Sequence, residues 1–235
     1  MARVREAVPQ GSLFAVQEKV DGANVSFLCD DLQVRLARRR AVLEPGEPFF
    51  RHEELLDRYA GHVYHVFNLL RLRYPGLVSI ALYGELFGGG YPHPDVPARP
   101  GLKPVQQGTW YCPGYDFYAF DIYVFMKDGG FFLPVREAAA LFSVAGLLYA
   151  RDLYVGPLDA CLAYPCAFPT LLPVELGLPP LEGNLCEGLV LKPLEPVFLP
   201  DGSRVAVKVK RDGKSCVRRS NGWPSVSSSP GRARG

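Results

Sequence analysis

The sequence predicts an α+β fold. Several segments alternate apolar and polar residues with the period of a strand. One other stretch repeats apolar residues at three and four, the period of a helix, and a second is bounded as a helix by Pro at its start and Gly past its end. The two kinds of segment follow no strand–helix–strand rhythm, which argues against a parallel α/β sheet.

Residues 13–29 alternate well enough for one strand, and Asp30-Asp31 turns the chain into a second at 32–39. Residues 51–73 carry Leu55, Leu56, Tyr59, Val63, Val66, Phe67 and Leu70 on one helical face, and Pro75-Gly76 ends that helix. Leu77 to Glu85 is apolar and reads as a buried strand. Residues 88–115 are rich in Gly and Pro and read as a long loop. Phe117 to Phe125 is another strand, with Lys127-Asp128-Gly129-Gly130 as its hairpin turn. Pro134 to Ala145 is a short helix, with Pro at its start and Gly146 past its end. Residues 157–184 are loop-rich. Leu185 to Lys192 and Arg204 to Lys210 are the last two strands, joined through a turn at Asp201-Gly202. No internal repeat is present.

The 235 residues suffice for one large domain or two small ones, and the 48% apolar and 21% charged content is that of a globular chain. The apolar stretch Ala138 to Ala150 is too short to span a membrane, so no membrane partner is expected. The net charge of +2 hides an asymmetry. From Arg204 to Gly235 there are nine Lys or Arg against one acid, Asp212. A basic end on an acidic body suits a polyanionic partner or a solvated tail. The six cysteines form no C-x-x-C pair and match no zinc spacing. They read as free thiols in a reducing, intracellular compartment, with the cytoplasm expected. His62 and His65 lie three apart on the first helix, where packing is favoured over metal binding.

The chemistry starts at Glu18-Lys19-Val20-Asp21-Gly22-Ala23-Asn24. Lys19 lies among Val16, Val20 and Val25, where a charged amine is costly and a neutral one is a nucleophile. Four further segments add to it. Tyr83-Gly84-Glu85 closes a strand on a carboxylate, and Phe120-Asp121 lies within another. Glu187 opens the strand that carries Lys192, and alternation puts Lys208 and Lys210 on one face of the last strand. A nucleophilic lysine, several acids and paired cations meet the needs of nucleotidyl transfer. Cations offset phosphate charge, carboxylates hold Mg²⁺ and ribose, and an aromatic stacks on the base. The run Gly88-Gly89-Gly90 lacks the G-K-[ST] of a phosphate-binding P-loop and is rejected as one. Trp110, Tyr111 and Tyr115 could stack on bases, but burial is the favoured reading.

In this order the segments resemble the covalent nucleotidyltransferases, and among them the RNA ligase 2 family, which includes the RNA-editing ligases. Glu18 to Asn24 resembles the family's nucleophile motif, and Ala37-Arg38-Arg39-Arg40 its Arg-bearing second segment. Gly84 to Gly89, running on to Tyr91-Pro92-His93-Pro94, resembles the third. Asp116 to Ile122, Glu187 to Pro193 and Arg204 to Lys210 resemble the rest. The resemblance covers about residues 13–215 and implies a ligase adenylation domain, with mainly antiparallel sheets flanked by helices around a nucleotide cleft. Residues 216–235 are expected to be a disordered basic tail.

The resemblance also implies roles. Lys19 would attack the α-phosphate of ATP and carry AMP. Glu18 would recognise adenine, Phe120 would stack on it, and Glu85 would bind the ribose. Arg39 would contact the nucleotide and the RNA end. Lys208 and Lys210 would hold the α-phosphate with Lys192 nearby. Glu187 would bind Mg²⁺, or Mn²⁺ in its place. Asn24, Asp21 and Asp121 would act in later steps or support the site. AMP would pass to an RNA 5′-phosphate, and an RNA 3′-OH in a nicked or splinted duplex would then displace it. Asp21 stands where this family often carries His and matches the form of DNA ligases and capping enzymes. A DNA ligase or a GTP-using capping enzyme therefore stays as an alternative, and so does a catalytically weak nucleotide- or RNA-binding relic. Family members usually continue into a C-terminal domain, so three readings of the chain stay open: a minimal ligase, a fragment, or a chain that relies on a protein partner for that function.

Overall fold

The computed structural model describes residues 1–39 and 41–211, and residues 215–217 by their backbone. Arg40 and the part of the expected tail from 218 onward lie outside the described residues.

The elements run as α1 (Ala2–Ala7), β1 (Leu13–Lys19), β2 (Ala23–Asp30), β3 (Val34–Arg38), β4 (Ala41–Val42), α2 (His52–Arg73), β5 (Leu77–Gly90), β6 (Cys112–Met126), β7 (Gly129–Phe132) and α3 (Val135–Val144). They continue as β8 (Asp152–Pro157), α4 (Leu158–Leu162), α5 (Leu172–Glu175), β9 (Gly188–Pro193), β10 (Val207–Lys210) and β11 (Ser215–Val217). Two antiparallel sheets result. The first has the order β11-β10-β9-β1-β8, and the second β4-β3-β2-β5-β6-β7.

The expected strand at 13–29 is two strands in different sheets, because the chain leaves the first sheet at Lys19 and enters the second at Ala23. Alternation continues across that break, so sequence pattern alone does not reveal it. The expected loop at 88–115 is shorter, since β5 runs to Gly90 and β6 starts at Cys112. Their hairpin extension keeps backbone groups paired where Gly and Pro content suggested irregular chain. The region 157–184 holds two short helices, α4 and α5. Helix α1 and strand β8 have no counterpart in the sequence reading.

Each sheet buries one face under helices. In the second sheet Val25, Phe27, Leu36, Ile80 and Leu82 pack against Leu55, Val63, Val66, Phe67 and Leu70 of α2. Helix α2 begins with Glu53 and Glu54 and ends with Arg71 and Arg73, which complements its dipole. In the first sheet Phe14, Val16, Leu189, Leu191, Val207 and Val209 pack with Val4 of α1 and Cys161 of α4. Full burial of each large apolar side chain contributes roughly 1.5–3 kcal/mol. The remaining faces, bearing Lys19, Lys192 and Lys208 on one side and Asn24, Glu85 and Asp121 on the other, look toward each other. Lys192 reaches across to Asp121 at 3.1 Å. A smaller cluster of Val20, Phe87, Tyr111, Tyr118, Ala150 and Leu172 supports the turn after Lys19.

Candidate active site between the two sheets

Pairing register builds the site. Lys19 of β1 is opposite Gly188 of β9, and Gly188 is opposite Lys210 of β10. Gln17, Val190 and Lys208 form the next row on the same face. Lys19 and Lys210 are therefore two strand spacings apart, about 10 Å between backbones. Only glycine fits between them. Gly188 has φ +149°, and a Cβ there would come within 2.1 Å of the Val209 carbonyl oxygen. The two lysines thus flank a position with no side chain.

On the facing sheet Asn24 is opposite Glu85, which is opposite Tyr118. Arg39 follows the Arg38–Val25 pair, level with Asn24, and is exposed in the turn after β3. The turn between β1 and β2 joins the rows: a Cβ on Gly22 would stand 2.4 Å from the Leu86 carbonyl oxygen and 3.3 Å from the Glu85 Cβ. In β6 the register shifts between Tyr83–Asp121 and Gly84–Ala119, leaving Phe120 as an extra residue. Such a bulge re-aims the chain, and it lets Tyr118 and Asp121 share the inward face. Phe120 stays half-buried, packed against the cluster that holds Val20, Phe87 and Tyr111.

Lys19 forms an ion pair with Glu187, their side chains being 15% and 22% exposed. The Asp21 N–H donates to the fully buried Tyr111 hydroxyl at 2.9 Å. Burial raises the Asp21 carboxyl above its ordinary value and the like charge of Glu187 adds to this, while Lys19 and Lys210 oppose it. Glu18 points to the other side of β1 and is buried. It accepts hydrogen bonds from the Thr170 hydroxyl and, at 3.0 Å, from the Leu171 N–H. Burial raises its carboxyl, partly offset by those two donors.

Lys192 is set deeper. Its amine donates to the Phe120 carbonyl at 2.8 Å and to Asp121 at 3.1 Å, and lies 5.8 Å from the centre of the Phe120 ring. Arg204 holds the same Asp121 oxygen at 2.7 Å and stacks on Phe132 at 4.3 Å. Burial would raise the Asp121 carboxyl, but Arg204 and Lys192 outweigh it and keep it below its ordinary value. The Lys192 amine is pushed below its usual range by burial, with Asp121 opposing.

The expected residues thus fall into three sets, with Glu18 apart from them. Lys19, Asp21, Glu187 and Lys210 meet at one end of the cleft, with Lys208 one row in. Asn24, Glu85, Phe120 and Arg39 belong to the facing sheet. Lys192 and Asp121 are buried between the sheets, and Glu18 lies behind β1. Tyr111 is buried, as expected from sequence, whereas Arg204 and Thr170 were given no site role from sequence. For Arg204 a signal was present: it shares the even-number parity of Lys208 and Lys210.

Among the described residues no group of three or more His, Cys, Asp or Glu is arranged to hold a metal ion. His62 is instead hydrogen-bonded to the Ala145 carbonyl at 2.6 Å. Cys29, Cys112, Cys161, Cys166 and Cys186 are free thiols. No described helix is long and apolar enough to cross a membrane.

The chain resembles known proteins in sequence and in fold. The chain is 36% identical over 204 residues to RNA-editing ligase 1, mitochondrial, of Trypanosoma brucei brucei, covering 74% of this chain and 43% of that protein. It is 36% identical over 196 residues to RNA-editing ligase 2, mitochondrial, of the same organism, covering 74% and 47%. The chain thus spans less than half the length of these relatives. An RNA ligase of Naegleria gruberi superposes with a TM-score of 0.59 at 19% identity, over 90% of this chain and 52% of that one. A mutant Naegleria gruberi RNA ligase with ATP and Mn superposes at 0.58 and 20%, with the same coverage. A sequence model of the RNA ligase family matches residues 12–210, and the chain belongs to that family.

Proposed function

We propose that this chain is the ATP-using adenylation domain of an RNA ligase that joins 3′-OH and 5′-phosphate ends. One observation carries the reading. Lys19 and Lys210 flank the side-chain-free Gly188, with Glu187 paired to Lys19 and the Asn24–Glu85 row opposite. An α-phosphate above Gly188 would meet the amine of Lys19 and the charge of Lys210 together.

The Lys19 amine attacks once neutral, and Glu187, already bonded to it, is the group that can take its proton. A bond forms from Nζ to the α-phosphorus, the bond to the β-phosphate oxygen breaks, and pyrophosphate leaves. Lys208 and Lys210 offset the charge on phosphate. Phe120 stacks on adenine, Glu85 and Asn24 receive the ribose, and Arg39 contacts the nucleotide and the RNA end. Lys192 acts from below by holding the Phe120 carbonyl. An RNA 5′-phosphate then takes AMP from Lys19, and the 3′-OH of the adjoining strand displaces it. Recognition of RNA requires that at least one 2′-OH be read.

A divalent cation fits the donor set. Mg²⁺ is commonly held by one or two carboxylates and substrate phosphates, and Mn²⁺ accepts similar ligands. Glu187 and Asp21 are two such carboxylates, and their mutual repulsion is the condition a bound cation relieves. When bound it supplies positive charge at the phosphates. The five free thiols support a reducing compartment. The domain is taken as residues 1–215.

Intact-mass measurement of nucleotide-free protein after incubation with ATP and Mg²⁺ tests the reading. The mass should rise by one AMP, and Lys19→Ala should abolish the gain. No gain in the wild type overturns it, and a gain from GTP alone would turn the assignment to a capping enzyme.

A further inference from the structure

The triglycine run that fails as a phosphate loop has another use. Gly88, Gly89 and Gly90 form the floor on which the segment 99–110 lies. A Cβ on Gly89 would come within 2.4 Å of the Lys103 carbonyl oxygen, while one on Gly88 would meet the Gly114 carbonyl oxygen of β6 at 2.1 Å. On Gly90 it would meet the Trp110 ring at 2.9 Å. The segment is tied down along its length. The Val105 N–H donates to the Gly88 carbonyl at 2.9 Å, and the Gly88 N–H to the Gln106 side chain at 3.2 Å. The Lys103 N–H donates to the Tyr115 hydroxyl at 3.2 Å, and that hydroxyl donates to the Lys103 carbonyl at 2.8 Å. Asn184 closes the far end through the backbone N–H and carbonyl of Trp110 at 2.8 and 2.7 Å.

This fixed segment gathers exposed cations. The Arg99 guanidinium lies over Gly114, at 3.2 Å from the position of a Cβ. The Arg51 guanidinium reaches Gly101 and that of Arg211 reaches Gly108, at 3.6 and 3.9 Å by the same measure. Arg58 donates to the Tyr115 carbonyl at 3.2 Å. Arg51 and Arg58 have the acid partners Glu54 and Asp116. Among the described residues, no carboxylate pairs with the exposed Arg99, Lys103 or Arg211. The row is continuous with the nucleophile. Arg211 follows Lys210, and its N–H donates to the carbonyl of Glu187, the partner of Lys19.

We propose that Arg211, Lys103 and Arg99, displayed by the segment docked on the triglycine floor, grip the phosphodiester backbone of duplex RNA leading away from Lys19. The assignment rests on the RNA ligase reading and deepens it. Unpaired cations on a rigid support at the mouth of the site match a regularly spaced polyanion, and they contact phosphates without reading sequence.

The test measures fluorescence anisotropy of a nicked RNA duplex with the full chain across a salt series. The exposed double variant Arg99→Ala/Lys103→Ala should lose affinity by on the order of ten-fold at ~0.1 M salt. Its slope of log affinity against log salt should be shallower by about two contacts. AMP transfer from ATP to Lys19 should stay at the wild-type level, which shows that the fold and the site are intact. A control with the same charge change on the far side, Lys127→Ala/Arg136→Ala, should keep wild-type affinity. Unchanged binding in the first variant, equal losses in both variants, or a wild type that binds no duplex overturns the grip. Failure of the wild type to take AMP, with binding still lost in the first variant, overturns the ligase reading and leaves the grip standing.

Discussion

Two lysine–carboxylate pairs of the site differ in depth. Lys19 and Glu187 meet at the cleft mouth, where a phosphate can compete for the amine. Lys192 and Asp121 meet between the sheets, where the lysine side chain is 3% exposed and Arg204 adds a second cation. Matching residue types therefore serve opposite ends. At the mouth the pair is exchangeable, as a nucleophile requires. Between the sheets it fastens the Phe120 bulge of one sheet to β9 of the other. Burial decides which, because an ion taken out of water cannot be left unpaired.

The largest effect should come from breaking the deep pair. Asp121→Ala strands Lys192 and Arg204 as buried cations and should cost about 3–5 kcal/mol in urea unfolding at neutral pH. A loss near zero would mean that water reaches the pair and that the contrast in depth is unreal.

Acid sharpens the same contrast. The folded Asp121 carboxyl lies below its ordinary value of 3.8, so the folded state releases that proton more readily than the unfolded one. Its stabilisation is present above 3.8 and is lost as pH falls through 3.8 toward the folded value. Glu18 and Asp21, raised by burial, have the opposite sign: their share favours the fold at low pH and is lost as pH rises through their folded values. The penalty of Asp121→Ala should therefore shrink between unfolding series at pH 6 and pH 3. A penalty that grows would reverse the assigned direction.

The mouth pair should respond least in stability. Glu187→Gln keeps a hydrogen-bond acceptor beside Lys19 and should change stability by about 1 kcal/mol or less. It should also raise the divalent-cation concentration needed for half-maximal AMP transfer. A stability loss as large as that of Asp121→Ala would make both pairs structural.

Much of this was legible in the chain. The seven apolar positions of α2 and its Pro75-Gly76 stop are local patterns, and the helix forms at His52–Arg73 as read. Alternation was enough to put Lys208 and Lys210 on one face, because strand parity is also local. The break after Lys19 was not legible, since Val20 and Val25 continue the apolar pattern while their strands join different sheets. The Phe120 bulge was equally hidden, because a bulge is defined against the partner strand β5. Gly88-Gly89-Gly90 announced that backbone comes close to something there. Only the fold shows that the something is the segment 99–110.

By itself, then, the sequence determined which chemistries were available: a lysine in an apolar strand, acids at strand ends, paired cations and a family likeness in motif order. Tertiary structure decided which lysine faces the cleft mouth and which is locked between the sheets. It also decided that Lys19 and Lys210 flank an empty glycine position, and that a glycine run carries a basic segment. The reason is physical. Propensity and parity act over a few residues, whereas register, sheet membership and burial are set by strands distant in the chain.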